Sequence, residues 1–368
     1  MRLEDFDYDL PAHRIAQHPV EPRDAARLLV DLGDDSWEHR RVRELPELLE
    51  PGDLLVVNET RVIPGRLQLR RDTGGAVEAL LLEPLDADWR RWEAMVRPAR
   101  RIRDGEILLG RGDEPTLMVH TRGGHGDTFI VEILGVDDDG ALDRALDHEP
   151  DHEPDHADLA GRVLARLEAI GEMPLPPYIE SDLDEPDRYQ TVFARQPGSA
   201  AAPTAGLHLT EALIETLAQR GIEMRTVELM VGRDTFVPIS EANPLDHPIH
   251  SERYRVPAET LEAARAARAS GHRVVAVGTT SVRALESAAA TGELSGRTSL
   301  YISRGYEWQI VDLMMTNFHL PRTTLLVMIE AFVGERWRQM YREALDSGYR
   351  FASFGDAMLL RRAEGIQP

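Results

Sequence analysis

The chain has 368 residues, 42% of them hydrophobic, and a formal net charge of −22. That length suits about two domains with full cores, and the acidic total counts against broad, non-specific nucleic-acid binding. There is no cysteine, and all 42 cationic side chains are arginine, which excludes disulfides, thiolate metal sites, iron–sulfur clusters, Schiff bases and a P-loop lysine.

No apolar run approaches the ~20 residues that cross a membrane. Met1 to Asp5 lack the apolar stretch of a signal peptide, so a cytoplasmic location is expected. Residues 1–24 read as irregular, punctuated by Pro11, Pro19 and Pro22. Arg27 to Asp31 reads as a strand. Asp53 to Val57 reads as a buried strand that ends in Asn58-Glu59-Thr60-Arg61. From 65 to 135 the runs are short and β-rich: Arg66 to Arg70, Val77 to Glu83, Trp92 to Val96, Ile107 to Leu109, Leu117 to His120 and Thr128 to Leu134. Glycine turns separate them, and no helical period appears, so a small β-barrel or sandwich is expected. Residues 61 to 103 carry ten arginines against six acids. This is either a local basic face or an ordinary solvated surface.

Residues 137 to 158 hold ten acids and one arginine, with a His-Glu-Pro-Asp repeat. His148, His152 and His156 could suggest a metal, but Pro150 and Pro154 prevent the helix that would align them. An acidic low-complexity loop is the expectation, with no metal site. A helix is expected over Asp158 to Ile170, and another over 210 to 220 with Thr210 as cap and Gly221 as stop. A strand over Ile222 to Met230, a helix over Ala258 to Ala269, a strand over Arg273 to Val277 and a helix over Ser281 to Ala290 complete an α/β texture. The fold class expected is α/β, a mixed α/β main domain (1–64 and 157–368) carrying an inserted small β-barrel domain (65–156).

Four polar stretches could carry chemistry. Ala202 to His208 combines Pro203 and Gly206 in a tight turn, which would leave the Thr204 hydroxyl and the His208 imidazole free for a ligand. Alone, it reads as a turn that caps a helix. Val277 to Arg283 reads as strand, small-residue turn and helix start, where unpaired N–H groups favour an anion. Thr279, Thr280 and Ser281 add hydroxyls and Arg283 adds a guanidinium; simple capping is the other reading. Asp246 to Glu252 packs His247 and His250 with two acids in a proline-broken loop; the spacing of the histidines weakly suits a metal, and His250 beside Glu252 suits proton transfer equally well. Met315 to Pro321 reads as a polar turn before an apolar helix from Thr323 to Phe332, with Asn317 and His319 placed to read a base edge or a sugar hydroxyl.

These stretches occur in order with Asn58 to Val62, Met173 to Ile179, Tyr189 to Phe193, Tyr349 to Phe351 and Gly355 to Met358. The set resembles the S-adenosylmethionine:tRNA ribosyltransferase-isomerases of queuosine biosynthesis across essentially the whole chain. The resemblance implies transfer and isomerisation of the ribosyl moiety of S-adenosylmethionine onto 7-aminomethyl-7-deazaguanine at the tRNA wobble position. Epoxyqueuosine-tRNA forms, and adenine and methionine leave. It implies S-adenosylmethionine as co-substrate with no bound cofactor, the tRNA anticodon region as partner, no membrane, and a monomer.

That chemistry needs a base near the carbon beside the sulfonium and a donor for the departing adenine. Under the resemblance, His208, His250 and His319 are candidates, with Glu252 and Asp356 behind them. Thr279, Thr280, Ser281 and Arg283 are candidates for the methionine carboxylate. Asn58, Thr60 and Arg61 would orient the base or sugar, and Thr204, the Gly206 backbone and Asn317 would contact the nucleoside. Three departures stand out. The family's usual His-Val-Gly-x-Gly-Thr-Phe reads Met230-Val231-Gly232-Arg233-Asp234-Thr235-Phe236 here, its Asn-Asn-Thr-Arg reads Asn58-Glu59-Thr60-Arg61, and its usual tyrosine and proline before Gly305 read Ser303 and Arg304. They keep open a diverged S-adenosylmethionine-using enzyme with another acceptor, and the arginine-rich segment keeps open a non-catalytic tRNA-binding protein.

Overall fold

The structure is a computed structural model that describes residues 1–123, 128–136, 156–181, 183, 185–232, 239–249 and 251–363. In chain order the strands are β1 (Arg27–Asp31), β2 (Trp37–Arg41), β3 (Leu54–Asn58), β4 (Thr60–Val62), β5 (Arg66–Arg71), β6 (Ala76–Pro84), β7 (Arg91–Arg97), β8 (Ile107–Leu109), β9 (Pro115–Arg122), β10 (Thr128–Ile133), β11 (Gln196–Ser199), β12 (Glu223–Leu229), β13 (Glu252–Arg255), β14 (Val274–Val277), β15 (Ser295–Thr298), β16 (Leu313–Asn317) and β17 (Ala357–Arg361). The helices are α1 (Leu45–Leu48), α2 (His156–Ile170), α3 (Glu211–Gln219), α4 (Ala258–Ala269), α5 (Thr279–Thr291), α6 (Thr324–Val333) and α7 (Trp337–Asp346). The chain divides into two compact units, one of Met1–Arg61, Leu175–Gln196 and Ala202–Pro368, the other of Val62–Pro174 and Pro197–Ala201.

The first unit is built on a nine-stranded mixed sheet of order β15-β13-β12-β3-β14-β16-β17-β1-β2. Its centre is parallel: Leu55 lies opposite Met224 of β12 and Val275 of β14, and Val275 lies opposite Leu313 of β16. Every residue of β3, β14 and β16 is buried, as a parallel interior requires and as their near-continuous apolar sequences supply. The chain thus delivers Asn58, Leu229, Val277 and Asn317 to one edge of the sheet, the carboxyl ends of four neighbouring strands. β17 runs antiparallel to β16 with Ala357 opposite Asn317, so the turn before Ala357 reaches the same edge. Leu28 of β1 lies opposite Ala357 in parallel register.

The second unit is a closed barrel of order β10-β7-β6-β5-β8-β9. Closure pairs every strand edge. Alternation along β7 buries Trp92, Ala94 and Val96, which pack with Leu81, Val119 and Phe129 in one core. Val163 and Leu167 of α2 belong to that same core. The unit therefore extends through this helix, past the end at 156 expected from the sequence. The acidic stretch 137–155 lies outside the described residues.

The expected α/β class with an inserted barrel is the fold observed. Thr210 caps α3 as expected, its hydroxyl oxygen accepting the Leu213 N–H at 3.2 Å. Met315 to Asn317, read as a turn, is the end of buried β16; Leu-Met-Met-Thr-Asn lacks the β-branched signature of a strand, and its burial decides.

Candidate active site

In open α/β sheets, ligands bind outside the carboxyl ends of the parallel strands. Three of the polar stretches meet there. Thr204 to His208 forms a short 3-10 helix. The Thr204 hydroxyl donates to Asn317 Oδ1 at 3.0 Å. The Gly278 N–H donates to the Met315 carbonyl at 2.8 Å. A Cβ placed on Gly278 would lie 3.7 Å from the Ala205 Cβ. These contacts hold the turn against the start of α5 and the end of β16. Gly278 has φ 87° and ψ 150°, a conformation essentially closed to other residues, and it lets the chain leave β14 and enter α5 without an intervening loop.

Several buried donors at this edge have no hydrogen-bond partner among the described residues: Thr280 Oγ1, Asn317 Nδ2, Arg283 Nη2 and Thr191 Oγ1. Leaving a buried donor unpaired costs about 1–3 kcal/mol, so a group of them marks a place where a ligand supplies the acceptors. Thr280 sits in the first turn of α5, where the free backbone N–H groups and helix dipole add positive potential. Thr279 is half-buried beside it. Thr191 belongs to a stretch the sequence reading noted without giving it a role. Its signal is small: a threonine beside Gln190 in Tyr189 to Phe193, packed where a Cβ on Gly206 would come within 3.1 Å of its methyl group.

Other predicted site residues are committed to the protein itself. Asn58 Nδ2 donates to the Leu229 carbonyl at 2.9 Å, and its Oδ1 accepts from the Leu229 and Thr60 N–H groups at 3.2 Å each. It ties the ends of β3 and β12. Thr60 is buried, with its hydroxyl 3.5 Å from the same carbonyl, while Arg61 is exposed. Ser281 donates to the Val277 carbonyl at 2.7 Å. Glu252 pairs with Arg283 Nη1 and accepts the Gly232 N–H at 2.9 Å. Arg283 Nε donates to the Leu300 carbonyl at 3.2 Å. Asp356 accepts the Arg27 and Arg350 N–H groups at 2.8 Å each, closing the turn before β17.

The expectation that the His208 imidazole is free is corrected. It is buried, with Nδ1 3.1 Å from the Ala205 carbonyl and Nε2 2.9 Å from the Gly355 carbonyl. Burial holds it below the usual imidazole range. Gly206 likewise serves packing: a Cβ there would lie 2.8 Å from the Phe193 ring. His319 Nε2 lies 3.1 Å from the Thr316 hydroxyl, and Tyr341 and Tyr8 hydroxyls bond its backbone. Burial pushes its pKa down to about 3, so the ring is neutral at working pH. His250 lies outside the described residues.

Comparison with known proteins agrees with this architecture. A family model described as "Queuosine biosynthesis protein" matches residues 3–360. A Symbiobacterium thermophilum S-adenosylmethionine:tRNA ribosyltransferase-isomerase is 48% identical over 98% of this chain and all of its own length. Its Thermus thermophilus counterpart is 46% identical over 97% of this chain and 99% of its own. The crystal structure of an S-adenosylmethionine tRNA ribosyltransferase from Thermotoga maritima superposes with a TM-score of 0.53 at 36% identity, covering 96% of this chain and 99% of that one. With a match that spans both the sheet and the barrel, the chain belongs to the family of queuosine biosynthesis proteins.

Proposed function

We propose that this chain is an S-adenosylmethionine:tRNA ribosyltransferase-isomerase, with S-adenosylmethionine as co-substrate and tRNA as acceptor. The observation that carries the reading is its kinship, over its whole length, with enzymes of that name. The sheet edge suits the co-substrate. The N-terminal turn of α5, with the Thr280 hydroxyl and Arg283 Nη2, offers donors to the methionine carboxylate. Asn317 Nδ2, turned away from Thr204 by the bond to Oδ1, offers a donor to a ribose hydroxyl or to the adenine edge.

In this reading the acceptor amine is the aminomethyl group of a 7-deazaguanine in the tRNA anticodon loop. The ribosyl carbons pass to that amine and rearrange to an epoxycyclopentane, while adenine and methionine depart. The burial of these donors removes competing water and strengthens each hydrogen bond they make.

The test is incubation of the protein with S-adenosylmethionine and tRNA bearing 7-aminomethyl-7-deazaguanine. Adenine release matched by a mass gain on the tRNA is the expected result. A tRNA that gains only a methyl group, or no adenine at all, defeats the proposal.

A further inference from the structure

The 239–249 loop holds a histidine–carboxylate pair that the site described above does not use. His247 Nδ1 lies 2.6 Å from Glu241 Oε2, and the His247 side chain is 7% exposed. Its other nitrogen, Nε2, is buried and meets no hydrogen-bond partner among the described residues. Glu241 is held in turn by Ser240, whose hydroxyl donates to Oε1 at 2.9 Å and whose N–H donates to Oε2 at 3.1 Å. The neighbouring acid does not compete, because Asp246 accepts from the Asn243 amide at 3.2 Å.

The turn that carries His247 is stiff. Asn243 Oδ1 accepts the Leu245 N–H, Pro244 opens a 3-10 turn, and the His247 N–H closes it on the Pro244 carbonyl at 3.2 Å. The Tyr301 hydroxyl donates to that same carbonyl at 3.0 Å. The loop also lies at the right edge of the sheet. Ile239 N–H donates to the Arg322 carbonyl at 3.1 Å, in the turn that follows β16. At its other end the loop leads into β13, whose first residue Glu252 accepts from Gly232, just past the carboxyl end of β12. It therefore spans between the ends of two strands that frame the donors described above.

A histidine whose Nδ1–H donates a hydrogen bond to a carboxylate presents the Nε2 lone pair as an acceptor, and the carboxylate stabilises the cation formed when that lone pair is protonated. Neither His208, with both nitrogens against carbonyls, nor His319, with Nε2 on a hydroxyl, is so arranged. We infer that His247 is the proton acceptor for the substrate carbon beside the sulfonium, with Glu241 as its positioning residue. In that step the carbon–hydrogen bond breaks, its electron pair stays on carbon next to the positive sulfur, the proton passes to Nε2, and the imidazolium is ion-paired with Glu241. The bond to His247 holds the Glu241 carboxyl down at about 2, so its negative charge is present throughout the working range. The inference rests on the ribosyltransferase reading.

The experiment measures adenine release by the full chain with S-adenosylmethionine and the modified tRNA. Wild type run alongside separates the two ideas, since a silent wild type defeats the ribosyltransferase reading itself. His247→Gln is expected to lower kcat by about 10²–10⁴-fold with KM for S-adenosylmethionine within about threefold. Added imidazole is expected to restore part of the rate to His247→Ala. Glu241→Gln is expected to lower kcat by about tenfold, and Glu241→Asp to recover most of it. A folded His247→Gln that releases adenine at the wild-type rate overturns the assignment. So does a folded His247→Ala that imidazole leaves inactive. If His247→Ala does not fold, the kcat of His247→Gln decides.

Discussion

The hydroxyl of Thr204 donates to the side-chain oxygen of Asn317 across 113 residues of sequence, at 3.0 Å. That bond fixes the orientation of the Asn317 amide and leaves its nitrogen, buried and unpaired among the described residues, as the donor facing the site. Replacing Asn317 by Asp puts a negative acceptor where the donor was. We expect N317D to raise KM for S-adenosylmethionine at least tenfold, and T204V to raise it about threefold through loss of orientation. Equal KM values for N317D and wild type in the adenine-release assay would refute the donor role.

Thr280 carries a buried hydroxyl with no partner among the described residues. An orphan donor of this kind destabilises the ligand-free protein by about 1–3 kcal/mol. Substitution by Val keeps the shape and removes the orphan. T280V is expected to raise Tm in the absence of ligand and to weaken S-adenosylmethionine binding several-fold, measured by thermal unfolding and calorimetric titration. A variant that loses stability and binds normally would show the hydroxyl to be structural.

Glu252 and Arg283 form a buried pair whose side chains are 5% and 13% exposed. Removing one partner strands the other charge, at about 3–5 kcal/mol. E252A should therefore unfold at markedly lower denaturant than wild type, and E252A/R283M should recover part of the loss. If E252A alone unfolds like wild type, the pair is not what joins β13 to α5.

His319 gives a pH signature. Its pKa is about 3 in the folded chain, against about 6.5 when unfolded. Below pH 6.5 the unfolded chain takes up this proton and the folded chain does not. The stability tied to a neutral His319 is thus present above pH 6.5 and lost progressively between 6.5 and about 3. H319Q, neutral at every pH, should show a shallower fall in unfolding free energy between pH 6.5 and 4 than wild type. Parallel curves would mean that His319 titrates normally.

On the barrel, Arg97, Arg100, Arg101 and Arg103 are exposed, and Arg122 donates to the Ala99 carbonyl at 3.1 Å within the same group. This is the net-positive segment of an acidic protein. R100E/R101E is expected to raise KM for tRNA about tenfold and to flatten its dependence on salt, with KM for S-adenosylmethionine unchanged. A tRNA KM that does not move would make this group an ordinary solvated surface.

Elements with a strong pattern could be read from sequence. The alternation in Trp92 to Val96 and the apolar run in Leu54 to Val57 each carry their own period. β15 could not, because Ser295-Gly296-Arg297-Thr298 is an edge strand with three exposed residues, held by its partner β13. At the site, Gly278 and Thr280 were visible as a small-residue turn before a helix. The commitments of Asn58 to Leu229 and of Asp356 to Arg27 were not. Those partners lie 171 and 329 residues away, and only the assembled sheet shows that the polar groups are already taken. His247 was visible as one of two histidines in a loop. Its pairing with Glu241, rather than with adjacent Asp246, emerges only from the fold of the turn.

β17 sits between β16 and β1 in the interior of the sheet. The hairpin of β1 and β2, early in the chain, therefore joins the main-chain ladder of the sheet only through Ala357 to Arg361, near its end. Most of the chain is exposed to the cell before its sheet can be completed. A chain halted before β17 carries an unfilled slot between β16 and β1 rather than a shortened edge.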